Sequence, residues 1–128
     1  MALFSLADEW TIELDAEFER RVEDGSLVFA RDDRAVWIDL FEDNRSISQK
    51  MKMLRENTPQ NAKSWKFAQN DLTKFGYLER DEENENSELT TFSVALPGYA
   101  LMTFYFDDES SLGWALDCWK SVRFETDI

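Results

Sequence analysis

The sequence predicts an α+β domain, in which an antiparallel twisted sheet of about six or seven strands packs with two main helices. Three observations support this fold class. Residues 89–96 alternate apolar and polar side chains, as a strand with one buried face does. Residues 99–106, after Pro97-Gly98, are apolar on both faces, which is typical of a central strand covered from both sides. The segment from Ser110 repeats apolar residues at helical spacing and would form one of the two covers.

The first third of the chain predicts an antiparallel meander of short strands. In the first strand Trp10, Ile12 and Leu14 point inward. A second extended segment, residues 17–23, places Phe18 and Val22 on one side. Asp24-Gly25 predicts a tight turn, because glycine adopts a positive φ without steric cost. Two further strands follow at residues 27–30 and 35–41.

A helix is predicted to begin near Ser46. Ser46 followed by Gln49 fits the reciprocal capping pattern, and Ile47, Met51 and Leu54 recur on one helical face. Thr58-Pro59 ends the helix, since the residue before proline disfavours the helical conformation.

The connection after this helix is less regular. Residues 62–73 fit either a short helix or an irregular connection, and residues 75–80 predict another strand. The charged segment 81–88 is expected to form a hairpin loop.

The last helix carries the candidate interface residues. Its core face holds the apolar residues Leu112, Ala115, Leu116, Trp119 and Val122. Trp114 lies about 160° from Leu112 at 100° per residue, and Asp117 and Lys120 lie opposite the core stripe. Exposed tryptophans anchor protein interfaces, so Trp114, Asp117 and Lys120 are the interface candidates. The alternative is that a loop of the same chain covers Trp114. Gly113 indicates either a close backbone approach or a later helix start.

The charge is strongly acidic and unevenly distributed. The chain of 128 residues carries a formal net charge of −13, yet residues 45–74 hold seven basic residues against two acidic ones. Such a field disfavours nucleic acid and favours a basic protein partner, with solubility as the alternative explanation. Three of these basic residues, Lys50, Lys52 and Arg55, lie on the predicted first helix. They fit either packing on an acidic sheet or contact with phosphate.

No segment approaches the length of a membrane span, and residues 1–9 lack the features of a signal peptide. A cytoplasmic location, without membrane association, is therefore expected. The single cysteine, Cys118, excludes an internal disulfide and predicts a buried small apolar residue.

The residue types give no support for catalysis or for a cofactor. The chain has no histidine and no glycine-rich phosphate loop. Asp39 is the one acid flanked by aromatic residues within a strand, and we expect it to face water or a helix end rather than to titrate as a buried group. The acids of residues 81–88 lack the ligand spacing of a calcium loop. We therefore expect no catalytic residue, no cofactor and no metal site.

The order of elements resembles the small α/β domains of the Mog1/PsbP-like type. The resemblance rests on the opening Trp10-Thr11-Ile12-Glu13-Leu14 with Phe18 shortly after, and on the closing segment from Trp119 to Phe124. It implies a twisted antiparallel sheet sandwiched by helices, and members of that group mostly bind other proteins. No functional residue is transferred from it.

Three functions remain open from the sequence. The first is a non-catalytic, bacterial-style binding module, such as an inhibitor or immunity-type protein that neutralises a basic partner. The second is an acidic homodimeric escort chaperone, which would use adaptable methionines (Met51, Met53 and Met102) to hold an unfolded client. The third is a carrier of a small ligand in an aromatic-lined pocket between sheet and helix.

Overall fold

A computed structural model describes residues 2–7, 9–15, 17–69, 71–83 and 85–125. The described residues form ten strands and two α-helices. The first five strands are β1 (Ala2–Ser5), β2 (Trp10–Leu14), β3 (Glu19–Glu23), β4 (Ser26–Arg31) and β5 (Arg34–Glu42). Helix α1 (Ile47–Arg55) precedes β6 (Lys63–Gln69), β7 (Leu72–Asp81), β8 (Asn86–Val94) and β9 (Gly98–Phe106). Helix α2 (Leu112–Lys120) and β10 (Arg123–Phe124) complete the chain as described.

The strands form two antiparallel sheets, which confirms the predicted α+β class. The larger sheet has seven strands in the order β3-β4-β5-β9-β8-β7-β6, and the smaller has three in the order β1-β2-β10. The predicted meander is confirmed for β3, β4 and β5. It is wrong for β2, which pairs with β1 and β10 because its apolar face covers the larger sheet instead of extending it.

The main core lies between the larger sheet and a cover formed by α2 and the smaller sheet. The buried side chains of Ile12 and Leu14 in β2 face those of β4, β5 and β9 there, with Trp119 from α2. We call this the inner face of the larger sheet. Helix α1 lies on the opposite, outer face, where Met51 and Leu54 pack on strands β7 and β8.

Strand β9 is central, but its two faces are covered unequally. Ala100, Met102, Phe104 and Phe106 are buried on the inner face. The outer-face side chains of β9 are all half-buried, but only Tyr99 and Leu101 pack on the α1 cluster, whereas Thr103 and Tyr105 do not. The predicted cover on the outer face is therefore confirmed only where α1 lies.

The two helices begin differently. Ser46 caps α1 through the predicted reciprocal pair, its Oγ accepting from the Gln49 amide at 3.2 Å. Ser110 as the cap of the last helix is wrong. A 3-10 turn at Glu109–Ser111 comes first, with the carboxylate of Asp108 accepting from the Ser110 amide at 3.0 Å, and α2 follows at Leu112.

Further expectations are corrected by where strands begin, end or lie at the edge of the sheet. The described part of residues 62–73 is mostly strand rather than the predicted short helix or irregular connection, because β6 pairs with β7, which begins at Leu72. Asn70 lies outside the described residues. Val22 is 71% exposed because β3 is an edge strand, and Leu96 is 70% exposed because β8 ends at Val94.

The cysteine prediction is confirmed. Cys118 is a free, buried thiol, and burial raises its pKa to about 12, so the thiolate that would react is scarce at neutral pH. Among the helices of the described residues, none is long and apolar enough to cross a membrane.

Candidate functional site

The outer face of the larger sheet is only partly covered, and its uncovered part is the candidate site. We call this part the open face. It consists of side chains on β5, β7, β8 and β9 that lie beyond α1: Trp37, Glu79, Glu88, Thr90, Thr103 and Tyr105. Each is exposed or half-buried, and none belongs to either hydrophobic core cluster. The open face is therefore a partly exposed surface that packs on neither core cluster, although Val28, the cross-strand partner of Trp37, is fully buried.

Strand register places these side chains in two adjacent rows. Trp37 pairs with Thr103, and Thr103 pairs with Thr90 on the next strand. One step along the strands, Tyr105 pairs with Glu88, and Glu88 pairs with Glu79. Tyr105 thus lies next to Glu88 and Glu79 in one row, and Trp37 lies in the adjacent row on β5, two strands from Glu88.

Two acids of the open face directly oppose each other. Glu79 and Glu88 are cross-strand partners, a position at which like charges destabilise a sheet. Neither carboxylate has a salt bridge with a described residue. Burial, with repulsion from Glu79 and Asp81, raises the pKa of Glu88, and burial with the charge of Glu88 raises the pKa of Tyr105. The pair therefore concentrates negative charge beside the rings.

Glu88→Gln is expected to stabilise the fold by about 0.2–1 kcal/mol at pH 7, because it removes the opposed charge. The raised pKa means that the native state binds more protons than the unfolded chain just above the ordinary pKa of glutamate. The stabilising effect of the protonated carboxyl is therefore complete at low pH and disappears as pH rises through the native pKa. Urea unfolding of both proteins at pH 4 and pH 7 measures the difference, which should grow with pH. The control is Glu9→Gln, at an exposed acid immediately before β2 of the smaller sheet, which should show no such gain.

The predicted interface tryptophan has a different environment. The ring of Trp114 stacks on Phe18 with centroids 5.7 Å apart, meets Phe104 edge-on at 5.9 Å, and lies 4.7 Å below the Arg34 guanidinium. The helical-wheel expectation that it projects off the core is wrong. The alternative, cover by the same chain, is confirmed, because Phe18 precedes β3 and packs on the ring. Asp117 and Lys120 are exposed on α2, on the other side of the larger sheet from the open face. An interface role for these three residues stays a prediction.

Sequence reasoning missed Trp37. The other four tryptophans, Trp10, Trp65, Trp114 and Trp119, all lie in or pack on the main core cluster. Trp37 does not, and it makes no ring or cation contact with another described residue. The sequence did contain a signal for this position. Side chains alternate along β5, so Trp37 points away from the face that carries Val36 and Ile38, and that face is the one that becomes core.

The other acidic positions give no metal site. Asp39 is half-buried and accepts a hydrogen bond from Ser26 Oγ at 2.6 Å. The described part of 81–88 forms the ends of β7 and β8 and the turn between them, and Asn84 lies outside the described residues. No group of three or more acids or thiols that could hold a metal is found among the described residues.

Helix α1 divides its basic residues between two roles. The side chain of Lys50 is fully buried, and its Nζ donates to the carbonyl oxygens of Ala95 and Leu96 at 2.8 and 2.6 Å. The packing interpretation is therefore right for Lys50. By contrast, Lys52 and Arg55 are exposed and line a groove of about 630 Å³ beside β6 and β7. Its lining combines three cations with Glu56, hydroxyl and aliphatic side chains and includes no aromatic ring, unlike the predicted ligand pocket.

Comparison with known proteins does not assign the chain to a family. No protein-family model matches the chain, and a search of curated proteins finds no significant similarity. The resemblance to Mog1/PsbP-like domains therefore stays a prediction, and any function has to be argued from the residues themselves.

Proposed function

We propose that this protein is a non-catalytic binding module that docks a basic protein partner on the open face. The observation that carries the proposal is the opposed pair Glu79 and Glu88 beside Tyr105, with Trp37 in the adjacent row of the same face. A sheet that keeps two facing carboxylates without a cation gives up stability at this point. A partner that supplies the cation would offset that cost.

The chemistry of the open face suits an arginine or lysine side chain. A cation above a tryptophan or tyrosine ring is attracted by about 0.5–1 kcal/mol when exposed, and by about 2 kcal/mol when desolvated. The same cation would neutralise the charge shared by Glu79 and Glu88. Trp37 adds a large apolar area at low entropic cost, as interface anchors do.

The net charge of −13 supports the same class of partner. A basic surface would be attracted over distances of about a Debye length, roughly 10 Å at 0.1 M salt, so association should slow as salt rises. An inhibitor or immunity-type role, in which one basic target is neutralised, fits this behaviour.

The chaperone alternative receives less support. Met51 and Met102 are buried in the core, so they cannot form the adaptable client surface that this hypothesis uses. Met53 is half-buried and lies against the Arg45 guanidinium. A possible homodimer stays a prediction.

Trp37→Ala is expected to weaken binding of a basic probe by about tenfold or more, because the ring is the largest contact on the open face. The probe is a fluorescent nine-residue peptide of alternating arginine and threonine, followed by anisotropy at pH 7 in 50 mM and 200 mM salt. Glu88→Gln should weaken binding several-fold and reduce the salt dependence.

The control variants remove one acidic and one basic group from the exposed side of α2, and Asp117→Asn is matched to Glu88→Gln. Asp117→Asn and Lys120→Ala should leave the affinity within about twofold, since both residues lie on the other side of the larger sheet. If Asp117→Asn weakened binding as much as Glu88→Gln, the peptide would be responding to net charge alone and the open face would not be the site. Equal binding by wild type and Trp37→Ala would also overturn the proposal.

A further inference from the structure

The last strand of the larger sheet, β6, ends the sheet without a cover. It is seven residues long, and within the described residues its backbone is hydrogen-bonded only to β7. Its outward-directed amides and carbonyls are therefore free to pair with another extended segment. Strand β3 ends the sheet on the other side but carries charges of both signs, including the Arg21–Glu23 pair.

The surface around β6 is positively charged, although the protein as a whole is acidic. Lys66 on β6 lines the same groove as Lys52 and Arg55 of α1, and these three cations outnumber the acid in that lining, Glu56. No salt bridge joins these three cations to a described residue, whereas Arg21, Arg31, Arg34, Arg45 and Arg123 all have acidic partners. The guanidinium of Arg55 lies 5.6 Å from the centroid of Phe75, which holds it over the sheet. Cations left unpaired in a chain with 27 acids make this groove locally attractive to an anion.

The two faces of β6 would meet different side chains of an added strand. Ser64, Lys66 and Ala68 are exposed on the outer face, beside the groove. Trp65 and Phe67 are half-buried on the inner face, where they pack against the main core. Because side chains alternate along a strand, an added strand would need acids at one set of positions and apolar residues at the other.

A second copy of this chain fits the edge poorly. A two-fold antiparallel pairing over the whole of β6 would place Lys66 opposite Lys66 of the other copy, since that residue is the middle of the strand. Like charges that oppose each other directly destabilise such a pair, and lysine on an edge strand commonly prevents edge-to-edge association.

We infer that β6 is a docking edge for an extended segment of another protein that alternates acidic and apolar residues and adds as an eighth strand. Its acidic side chains would contact Lys66, Lys52 and Arg55, and its apolar side chains would cover Trp65 and Phe67. This site is separate from the open face and has the opposite charge preference. The protein would then hold a basic partner and an acidic segment at two different places.

The test uses a fluorescent, end-blocked nine-residue peptide of alternating glutamate and valine, titrated with the full chain at pH 7. Saturable binding is expected, together with slower amide hydrogen exchange in β6. Lys66→Glu and Lys52→Glu should each weaken binding by about tenfold, and Lys120→Glu, at an exposed lysine on α2, should change it by less than twofold. The peptide methylated at alternate backbone nitrogens, made in both registers, should lose binding in one register.

Four results would overturn the inference. The first is no saturable binding, and the second is equal weakening by Lys120→Glu. The third is unchanged binding by both methylated peptides, which would mean that no backbone pairing occurs. The fourth is a wild-type dimer in sedimentation that Lys66→Glu disrupts, since the edge would then be occupied by a second copy. Binding of the arginine-threonine peptide to the open face is measured separately, so the two proposals fail independently.

Discussion

Replacing Lys74 with methionine is expected to lower the free energy of unfolding by about 2–4 kcal/mol, because it leaves buried carbonyl groups without donors. The Lys74 side chain is fully buried under the end of α2. Its Nζ donates to the carbonyl oxygens of Trp119, Lys120 and Val122 at 3.0, 3.3 and 3.1 Å. Trp119 and Lys120 end α2 and Val122 follows it, and the Trp119 carbonyl also accepts from the Val122 amide at 3.1 Å. One ammonium group thus adds a donor at the helix terminus and ties it to β7.

The effect of Lys74 should also depend on pH. Burial, with repulsion from Arg123, lowers the pKa of Lys74 to about 8, below its ordinary value of 10.5. Between these values the native state binds fewer protons than the unfolded chain, so this residue adds stability as pH rises from about 8 toward 10.5 and loses it as pH falls through 8. The slope has an upper limit of about 1.4 kcal/mol per pH unit.

Urea unfolding of wild type and Lys74→Met at pH 7, 8 and 9 measures both effects. The difference between the two proteins should widen above pH 8. Lys66→Met, an exposed lysine on the neighbouring strand, should change stability by less than about 0.5 kcal/mol at every pH. A Lys74→Met protein as stable as Lys66→Met, or a difference that narrows with pH, would contradict the role given to this ammonium group.

Gly98→Ala is expected to destabilise the protein by at least about 3 kcal/mol, the upper range for inserting an atom into a rigid interior. Gly98 begins β9 and pairs with Glu42 at the end of β5. A Cβ there would overlap the carbonyl oxygen of Phe41 and lie 3.3 Å from the Cα of Glu42. Because the obstacle is backbone rather than the end of a side chain, relief requires the two central strands to separate.

The matched control is the same substitution in α2. A Cβ on Gly113 meets nothing within 4 Å, which also shows that the close backbone approach suggested by the sequence is wrong at this position. Gly113→Ala should therefore stabilise the protein by about 0.5–1 kcal/mol through helix propensity. Thermal unfolding of the two variants should show shifts of opposite sign, and a Gly98→Ala midpoint equal to wild type would contradict the steric argument.

The parts of the fold that depend on residues close together in the sequence could be predicted. Alternation located β2, β5 and β8, apolar residues on both faces located β9, and the Ser46–Gln49 pair located the start of α1. The prediction for residues 62–73 was wrong because β6 is an edge strand. An edge strand exposes most of its side chains, so its apolar residues, Trp65 and Phe67, are too few to establish a period.

The candidate site was harder to predict, because exposure depends on which elements cover which face. Trp114 lies off the helical stripe of α2, yet Phe18 and Arg34 reach it from distant parts of the chain. Trp37 lies on the outer face of the larger sheet. Helix α1 covers a different part of that face, over β7 and β8, and does not reach Trp37. A helical wheel describes one element at a time and contains no information about its neighbours.

The sequence by itself determined the α+β class, the central position of β9, the burial of Cys118 and the acidic charge. These follow from side-chain periodicity and composition, which act locally or sum over the chain. Only the tertiary structure decided that β2 joins a separate sheet, that Lys50 and Lys74 are buried donors, and that Trp114 packs on the main core whereas Trp37 packs on neither core cluster. The physical reason is that burial is a property of pairs of surfaces, and those pairs form between residues far apart in the chain.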